Sequence, residues 1–599
     1  MQHRLQRVML SQNAHRVLEA RYLRRDASGQ VIETPEELFA RVARAVAHAE
    51  LLVGNAAQAA RWEERYFRLL TSLDFLPNSP TLMNAGTPLG QLSACFALPV
   101  EDSIESIFGA VRDMALVQRT AGGTGFTFGH LRPTGDVIAS TGGSASGPVS
   151  FMCIFDCATE NIKLGGRRRG ANMGILPVDH PDILDFIEAK RSPGQLRNFN
   201  LSVGVTDAFM AALDADRPYD LRHPTDGRAV GQLSACEVFE RIVAAAWETG
   251  DPGLVFLDAV ARANPTPMLG RIEATNPCGE VPLLPYESCN LGSLNLPHFA
   301  LERGGAMKTG MDWRRLGQAV REAVRFLDDV LIVNRYPLSA IEAASLGNRK
   351  IGLGVMGFAE LLIRLGVPYQ SERAVAFARR LMAFITRQAR RASARLAEER
   401  GVFPNWERSV YAARGLHVRN ATVTSIAPTG TISIIAGTSS GIEPLFALSY
   451  RHVGVLGEQI LTELNPLFLA AGERMGFLTQ EALEHVQRTG TLASAPGVPE
   501  ETRALFATAL EIEPRQHLLI QAAFQATVDN AVSKSINLPN ETPPESVAAI
   551  YREAHHLGLK GITVYRYGSR DQQVLQLGVG EEMYEREHGA KCDPSQCRL

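Results

Sequence analysis

Most of this chain, from about residue 71 to residue 570, alternates short apolar segments with longer amphipathic ones. Residues 421–426, Ala-Thr-Val-Thr-Ser-Ile, form one of the short segments, and a turn containing Pro and Gly follows it. Short β-branched runs separated by segments of helix length are typical of strands joined by crossover helices. The alternation therefore predicts an α/β fold with parallel strands.

The two ends of the chain differ from this central stretch. Residues 1–70 are polar and helical in pattern, and Thr34-Pro35-Glu36-Glu37 has the composition of a helix start. Residues 571–599 are polar and contain two cysteines, Cys592 and Cys597. We therefore expect an N-terminal helical region (1–70), a central α/β domain (71–570) and a flexible C-terminal tail (571–599).

The composition narrows the classes of function. A net charge of -3 over 599 residues gives no electrostatic basis for binding nucleic acid. No apolar run has membrane-spanning length, and the first ten residues lack the apolar core of a signal peptide. Eight cysteines are too few and too scattered for a secreted disulfide scaffold. The prediction is a cytoplasmic enzyme with mostly reduced thiols, no membrane association and no nucleic-acid partner.

One pentapeptide, Asn276-Pro277-Cys278-Gly279-Glu280, concentrates reactive groups. Pro fixes one backbone angle and Gly frees the next, so the segment is predicted to be a tight loop tip. Cys289 follows eleven residues later, and Cys95 lies far upstream. A thiol-based radical reduction needs one sulfur to carry the radical, two to donate electrons, and a base. An inert core thiol is the alternative for Cys278, and its polar neighbours at a loop tip disfavour that interpretation.

Three glycine-rich segments are candidates for close contact with a phosphate or sugar. Residues 121–125 and 141–147 are each, taken alone, better interpreted as plain turns. Residues 427–433 are more specific, because an apolar strand precedes them and hydroxyls and backbone amides coincide with a predicted helix start. Such a turn is suited to binding phosphate.

Residues 352–357 contain a literal G-x-G-x-x-G pattern. A dinucleotide site requires a buried strand before that pattern, and residues 345–350 do not form one. We therefore predict close helix packing at these glycines, with a nicotinamide-dependent oxidoreductase as the remote alternative.

The other cysteines are predicted to be structural. Cys153 and Cys157 lie four residues apart on one face of an apolar helix, and no nearby His or Cys pair completes a zinc set, so buried thiols and no metal site are expected. Cys236 lies at the start of an amphipathic helix and is interpreted in the same way.

Taken in order, the motifs of residues 70–570 resemble the large (catalytic) chain of ribonucleotide reductase, most closely its adenosylcobalamin-dependent class II. The matching segments are 75–86, the Cys95 segment, 102–104, the glycine-rich stretch through 147, 165–172, 276–280, 427–433 and 558–566. The resemblance implies an α/β barrel of ten strands in two antiparallel halves, each of five parallel strands. A finger loop would pass through its centre, with Cys278 at the tip.

The resemblance also implies roles for the reactive residues. Cys278 would become a thiyl radical and take hydrogen from C3′ of the ribose. Glu280 would act as base on the 3′-hydroxyl, and Asn276 would hydrogen-bond the sugar hydroxyls. Cys95 and Cys289 would supply two electrons and form a disulfide. The implied substrate-binding residues are Ser79, Ala94, Cys95, Gly123, Asn276, Cys278, Glu280, Pro428, Thr429, Gly430, Thr431 and Ile432.

The source of the radical follows from what the sequence lacks. The class I large subunit, which takes its radical from a separate metal-containing subunit, has two adjacent tyrosines where this chain has Thr563 and Val564. The glycyl-radical motif of the anaerobic class does not match Arg566-Tyr567-Gly568-Ser569. Adenosylcobalamin remains as the radical generator. No D-x-H-x-x-G signature supplies a histidine ligand to cobalt, so the cofactor is expected to keep its own base. A class I large subunit stays as the alternative.

Partners and regulation follow from the same resemblance. Asp102, Ser103, Ile104 and Arg132 match a site for a deoxynucleotide effector at a homodimer interface, and residues 191–200 match the loop that signals to the substrate base. Cys592 and Cys597 match a redox relay that a thioredoxin-like protein reduces. The substrate is a ribonucleoside di- or triphosphate, and the sequence leaves both open.

Overall fold

The computed structural model describes residues 8–138, 142–162, 170–192, 194–301, 310–456, 459–569 and 575–577, and the side chains of 450–463 and 575–577 are left out of the description. Helices and strands alternate along the central part of the chain. The α-helices of the described residues are α1 (Gln12–Arg21), α2 (Pro35–Val53), α3 (Ala56–Thr71), α4 (Ser79–Asn84), α5 (Ile104–Gln118), α6 (Gly147–Asn161), α7 (Ile183–Glu188), α8 (Asp207–Asp214), α9 (Ala235–Thr249), α10 (Leu257–Arg262), α11 (Trp313–Val333), α12 (Ser339–Asn348), α13 (Phe358–Arg364), α14 (Glu372–Arg400), α15 (Ile432–Ala436), α16 (Pro466–Met475), α17 (Gln480–Thr489), α18 (Glu500–Leu505), α19 (Pro514–Gln525) and α20 (Pro544–His556).

The strands of the same residues form one large sheet and several small ones. They are β1 (Phe75–Pro77), β2 (Cys95–Ala97), β3 (Gly123–Thr127), β4 (Asn172–Pro177), β5 (Phe199–Val205), β6 (Pro218–Arg222), β7 (Ala229–Ser234), β8 (Gly253–Phe256), β9 (Ala274–Thr275), β10 (Pro282–Leu283), β11 (Ser288–Asn295), β12 (Ala300–Leu301), β13 (Gly310–Met311), β14 (Ile351–Met356), β15 (Ser449–Leu456), β16 (Gln459–Leu464), β17 (Ser535–Leu538), β18 (Gly561–Arg566) and β19 (Leu575–Leu577).

The first half of the barrel consists of five parallel strands in the order β2-β3-β4-β5-β8. Helices α5, α6 and α7 connect the first four strands, and α8 and α9 lie between β5 and β8. The strands β3, β4 and β8 are buried almost throughout, as expected for parallel strands that are covered on both faces. Each connection returns the chain to the same end of the sheet, so the strands remain parallel.

The second half consists of β11, β14, the extended segment 422–426, β17 and β18, again all parallel. Two backbone bridges include the extended segment: Leu353 pairs with Thr424, and Ile426 pairs with Val532. The halves meet twice in antiparallel orientation, at β11–β2 and at β18–β8. The ring is therefore closed by ten strands, and the predicted barrel of two antiparallel halves is confirmed.

The N-terminal helices pack on the second half. Thr34 caps α2 at the predicted helix start and forms a capping box with Glu37. Side chains of α2 and α3, such as Phe39 and Leu70, share one hydrophobic core with α11 and α14. A separate core lies around the first half and includes Phe126, Phe155 and Phe199. The helical prediction for the N-terminal region is thus confirmed at the helix start that the sequence marks.

Buried ion pairs fix these helices to the barrel. The Glu50 carboxylate on α2, which is fully buried, bonds both Arg325 on α11 and Arg400 at the end of α14. Arg400 also bonds Asp329 at 2.7 Å, and Asp329 accepts from Tyr66 at 2.6 Å. Burial raises the pKa of Asp329 to about 8. Removing one member of such a buried network would strongly destabilise the fold. The network therefore fixes the position of α2 relative to α11 and α14.

The structure corrects the prediction for the G-x-G-x-x-G segment. Residues 351–356 are the buried barrel strand β14, and the glycines do not pack between helices. A Cβ on Gly352 would lie 2.3 Å from Leu291, and one on Gly354 would lie 2.3 Å from the carbonyl oxygen of Ser425. The glycines therefore allow neighbouring strands and side chains to approach inside the barrel, a role that periodicity alone does not reveal.

A second correction concerns two cysteines. Cys153 and Cys157 lie on α6 as predicted, but both are exposed and not buried. The buried face of α6 carries Met152 and Phe155 instead. Cys236 is the second residue of α9, where the sequence predicts a helix start, and it is half-buried.

Among the described residues, none of the helices combines the length and the apolar character that crossing a bilayer requires.

Candidate active site at the finger tip

A short hairpin carries Cys278 into the barrel. β9 and β10 pair antiparallel, and residues 276–281 make the turn between them. Asn276 closes this turn, because its Oδ1 accepts from the Val281 amide at 3.0 Å and its carbonyl accepts from the Gly279 amide at 3.0 Å. Gly279 has a φ of +78°, a left-handed conformation that favours glycine. The loop tip predicted from Pro277 and Gly279 is thus present.

Both halves of the barrel hold the finger tip. From the first half, Asn200 Nδ2 donates to the Pro277 carbonyl at 2.8 Å. From the second half, Ser425 Oγ and the Ala531 amide donate to the Glu280 carbonyl at 2.8 and 2.9 Å. The position of Cys278 is therefore set by both halves rather than by the hairpin alone.

A cavity of about 320 Å³ lies beside the finger and contains every residue predicted to bind substrate. Its walls come from α4, β2, β3, β11, the finger and the turn at 427–432. The predicted residues that line it are Ser79, Ala94, Cys95, Gly123, Asn276, Cys278, Glu280, Pro428, Thr429, Gly430, Thr431 and Ile432. Side chains from distant parts of the chain thus share one space around the exposed thiol of Cys278.

Two elements of this cavity have a defined local structure. The turn at 427–432 leads into the short helix α15, and Thr429 adopts a φ of +58° while its Oγ1 accepts from the Gly441 amide at 2.7 Å. Ser79 begins α4, and its hydroxyl lies 2.7 Å from the hydroxyl of Tyr22 in the N-terminal region. Residues at two helix starts therefore line the cavity.

Asn78 is a cavity residue that the sequence reasoning did not assign. Its Oδ1 caps α4 by accepting from the Thr81 amide at 2.9 Å. Its Nδ2 is buried, and among the described residues no group accepts from it. An unsatisfied buried donor at a cavity wall indicates a place for a ligand acceptor. The Asn-Ser-Pro-Thr pattern signals the cap in sequence, but only the cavity shows the donor.

Cys95 and Cys289 are direct cross-strand neighbours. Cys95 on β2 pairs with Cys289 on β11 at the antiparallel junction of the two halves. Residues opposite each other in such a ladder have Cβ atoms about 5 Å apart, which is compatible with a disulfide after small adjustments. Cys95 lines the cavity, whereas Cys289 is fully buried and burial raises its pKa above the usual range. The structure thus brings together all three predicted thiols.

A second cavity, of about 310 Å³, lies on the other side of the finger tip. It shares Pro277, Cys278 and Pro428 with the first cavity. Its other walls come from β5, β8, β18 and the segment 532–535 and include Ser202, Lys534 and Thr563. Cys278 therefore borders both cavities.

The predicted effector residues lie together at the start of α5. Ser103 caps this helix, and Ile104 is its first residue and 58% exposed. Arg132 reaches Asp102 twice, with Nε 2.7 Å from Oδ2 and its backbone amide 3.2 Å from Oδ1. Nearby, His130 lies between Glu101 and Glu273, at 3.1 and 3.0 Å. The loop at 191–200 ends in β5, whose Asn200 contacts the finger tip.

Cys592 and Cys597 lie outside the described residues, and of the segment 571–599 the structure describes only β19, which pairs with β15. In the described part of the chain, no group of three or more His, Cys, Asp or Glu residues is arranged to hold a metal ion.

Comparison with known proteins agrees with this architecture. The family model for the ribonucleotide reductase barrel domain matches residues 93–418 and 414–565, and the model for the ribonucleotide reductase all-alpha domain matches residues 8–90. A solved structure, the class Id ribonucleotide reductase alpha subunit of Actinobacillus ureae, superposes with a TM-score of 0.75. It covers 93% of this chain and 97% of that one at 22% identity, which shows the fold.

Two curated relatives are more similar in sequence. The vitamin B12-dependent ribonucleoside-diphosphate reductase of Mycobacterium tuberculosis (strain CDC 1551 / Oshkosh) is 53% identical over 94% of this chain and 80% of its own length. The protein of the same name from Thermoplasma acidophilum is 46% identical over 96% of this chain and 81% of its own length. With both family models covering most of its residues, the chain belongs to the ribonucleotide reductase large-chain family.

Proposed function

We propose that this protein reduces ribonucleoside diphosphates to 2′-deoxyribonucleoside diphosphates by thiyl-radical chemistry with adenosylcobalamin as radical source. The observation that carries the proposal is the position of Cys278, which borders two cavities and shares one of them with Glu280 and Cys95. The names of the curated relatives support both the diphosphate substrate and the cofactor.

Hydrogen abstraction, proton transfer and sugar binding are assigned to three residues of one hairpin, the finger. A thiyl radical on Cys278 removes hydrogen from C3′ of a ribose in the first cavity, and Glu280 accepts the proton of the 3′-hydroxyl. Asn276 has its Oδ1 engaged by Val281, so its Nδ2 is the group that donates to a sugar hydroxyl. Cys278 is exposed to the two cavities, so substrate and cofactor bound there would exclude solvent from the radical.

The reducing electrons come from the cysteine pair. Loss of the 2′-hydroxyl as water leaves a sugar that accepts two electrons and two protons from Cys95 and Cys289, and these sulfurs then form one disulfide. Cys278 finally returns the hydrogen to C3′, which completes the deoxyribose and restores the thiyl radical. Their cross-strand pairing supports this role, because the bond forms between neighbouring strands without a change of register.

The second cavity fits an adenosylcobalamin-dependent radical step. At about 310 Å³ this cavity would take only the nucleoside part of the cofactor, which would find hydroxyl and backbone partners at Ser202, Thr563 and the segment 532–535. The side of Gly279 is open, since a Cβ built there meets no atom within 4 Å. When bound, the cofactor supplies a carbon-centred radical through homolysis of its cobalt–carbon bond. The residues that would contact it are Ser202 and Thr563, whereas the Lys534 ammonium is already bonded to Glu443.

The class I alternative is less well supported. A class I large subunit needs two adjacent tyrosines at the positions that Thr563 and Val564 occupy here. In this chain Thr563 and Val564 line the second cavity. The space beside Cys278 is thus open where two aromatic rings would be required.

Regulation and partners belong to the same proposal. We assign Asp102, Ser103, Ile104 and Arg132 to a deoxynucleotide effector site at a homodimer interface, where exposed Ile104 and the Arg132 guanidinium suit a nucleotide. A thioredoxin-like protein is assigned as reductant of Cys592 and Cys597 in the reduced environment of the cytoplasm. A sedimentation experiment that shows a monomer with and without dTTP would contradict the dimer.

The experiment that tests the proposal is CDP reduction by the purified chain with dithiothreitol, with and without adenosylcobalamin. We expect dCDP only when the cofactor is present. The Cys278→Ala variant should bind CDP with unchanged affinity and form no dCDP, because the hydrogen-abstracting sulfur is absent. Residual turnover in this variant would refute the assigned role of Cys278, and cofactor-independent turnover would refute the radical source.

A further inference from the structure

A buried lysine lies next to the redox-active cysteine pair. The register between β11 and β14 pairs Asn290 with Ile351, and continuing it by one residue places Lys350 beside Cys289. On its other side, Cys289 is paired with Cys95. Cys95 on β2, Cys289 on β11 and Lys350, the residue directly before β14, thus lie side by side in the barrel wall.

The charge of Lys350 is held in place by a buried network. Lys350 Nζ lies 2.5 Å from Glu287 Oε2, and both side chains are only 2% exposed. Glu287 also accepts from Asn348 Nδ2 at 2.6 Å and from the Leu284 amide at 2.7 Å. Burying a lysine in such a position lowers the stability of the fold, and hydrophobic residues would fill the same space without that cost. The buried charge therefore indicates a functional role.

These three residues differ in access. Both thiols are buried, at 3% and 0% exposure, but Cys95 lines the substrate cavity and Cys289 does not. An incoming thiolate therefore meets the sulfur of Cys95, and Cys289 must leave. Burial opposes a thiolate on Cys289, Glu280 and Glu287 oppose it further, and the Lys350 ammonium favours it.

We propose that Lys350 is a positioning residue that makes Cys289 the departing thiolate when the Cys95–Cys289 disulfide is reduced. This inference rests on the proposed function, in which that disulfide forms at each turnover. An external thiolate attacks Cys95 Sγ, a bond forms between the two sulfurs, and the Cys95–Cys289 bond breaks. Cys289 takes the bonding electron pair as a thiolate beside Lys350. With a dithiol reductant, its second thiolate then releases Cys95 and closes the reductant's own disulfide.

The direction of attack is tested with a monothiol. The full-length protein is oxidised with diamide, treated briefly with 2-mercaptoethanol, alkylated, and digested for peptide mass spectrometry. We expect the mercaptoethanol adduct on Cys95 and the alkyl group on Cys289. The reverse distribution would overturn the inference, and the result does not depend on catalytic turnover.

The role of Lys350 is tested by two single variants that break the same ion pair. For Lys350→Met we expect reduction of the disulfide by dithiothreitol to slow roughly tenfold, because a poorer leaving thiolate departs more slowly. For Glu287→Gln we expect a rate at least equal to that of the wild type, because the lysine charge remains while an opposing carboxylate is lost. If both variants slow reduction equally, the pair is merely structural and the inference fails.

Two further variants keep the test decisive if Lys350→Met folds poorly. Lys350→Met combined with Glu287→Gln removes both buried charges, and it should show the same slow reduction. Lys350→Arg keeps the charge and should restore most of the rate. The charged groups around the site are Glu280, Glu287, Lys350 and Lys560. Because their charges can change with pH, the rate of disulfide reduction is measured for each variant at several pH values from 7 to 9. A double variant that reduces as fast as the wild type would refute the role of Lys350.

The proposed function and this inference fail separately. Absence of dCDP from the pre-reduced wild-type enzyme with adenosylcobalamin would refute the function. Disulfide reduction is measured on chemically oxidised protein, so its dependence on Lys350 is obtained whether or not dCDP forms.

Discussion

Replacing Gly125 with alanine should displace the finger, slow hydrogen abstraction strongly and weaken substrate binding much less. Gly125 lies in the middle of β3, where a Cβ would be 1.6 Å from the carbonyl oxygen of Thr275 and 2.6 Å from its carbon. Ordinary contact begins at 3.4 Å, so β3 and the finger must separate by the difference, about 1.8 Å. Thr275 belongs to the hairpin and not to the barrel wall, so the hairpin is the part that moves.

The expected loss of rate follows from that displacement. A misplacement of about 1 Å at a reacting centre costs on the order of 100-fold in rate. We therefore expect the first-turnover rate to fall by at least about 100-fold, which corresponds to about 2.7 kcal/mol in the activation barrier. The KM for CDP should rise by less than the rate falls, because the sugar contact of Asn276 is weakened while Ser79 and Thr431 stay in place. Overpacking should lower the unfolding free energy by about 1–3 kcal/mol.

The assay is rapid-quench formation of dCDP by pre-reduced enzyme with adenosylcobalamin, together with a thermal melt of each protein. Gly231→Ala is the matched control, because Gly231 is also a strand glycine and its added Cβ would meet only Leu221, at 3.8 Å. This control should match the wild type. A folded Gly125→Ala protein with a first-turnover rate within threefold of the wild type would refute the argument that this contact sets the position of Cys278.

Three further predictions concern the cavity and its surroundings. Asn78→Asp keeps the helix cap but replaces the unsatisfied amide donor by a carboxylate oxygen, so the KM for CDP should rise about tenfold in steady-state assays. His130 has a pKa raised to about 9, chiefly by its hydrogen bond with Glu273, so its charge should stabilise the fold fully below pH 6.5 and lose that effect as the pH rises through 9. The difference in melting temperature between the wild type and His130→Gln should shrink over that range. Asp102→Ala removes the partner of Arg132, so dTTP should lose its influence on the choice between CDP and GDP.

Each of these predictions has a control or a contrary outcome. Asn465→Asp alters a helix cap elsewhere and should leave the KM unchanged. An unchanged KM in Asn78→Asp would mean that this donor does not meet the substrate. A melting-temperature difference that is constant from pH 6 to 10 would contradict the role of the His130 charge. Full dTTP control in Asp102→Ala would remove Asp102 from the effector site.

Local sequence chemistry predicted several elements because the determining interactions lie within a few residues. Thr34 and Glu37 cap α2 as their spacing indicates. Pro277 and Gly279 give the turn at the finger tip, where a left-handed residue is needed. The ten-stranded barrel followed from the resemblance of whole motifs, since alternation of strands and helices predicts only parallel β-strands and not how many close a ring.

The predictions that failed concern which face of a helix or strand packs against the rest of the protein. Cys153 and Cys157 lie on an apolar helix, but the side that packs on the sheet carries Phe155, so the thiols remain exposed. The glycines at 352 and 354 show no helical packing because their segment is a strand against residues 422–426. Both outcomes depend on the neighbours that the closed barrel supplies, and these neighbours are distant in sequence.

The sequence by itself determined the chemical inventory: a thiol and a carboxylate in one tight turn, two further cysteines, and a turn suited to phosphate. It could do so because residue types and local turn geometry are properties of adjacent residues. Only the tertiary structure decided that Cys278 borders two cavities, that Cys95 faces one of them while Cys289 is buried, and that Lys350 stands beside Cys289. These relations join residues from four separate strands and loops, and they exist only once closure of the barrel fixes the register between its two halves.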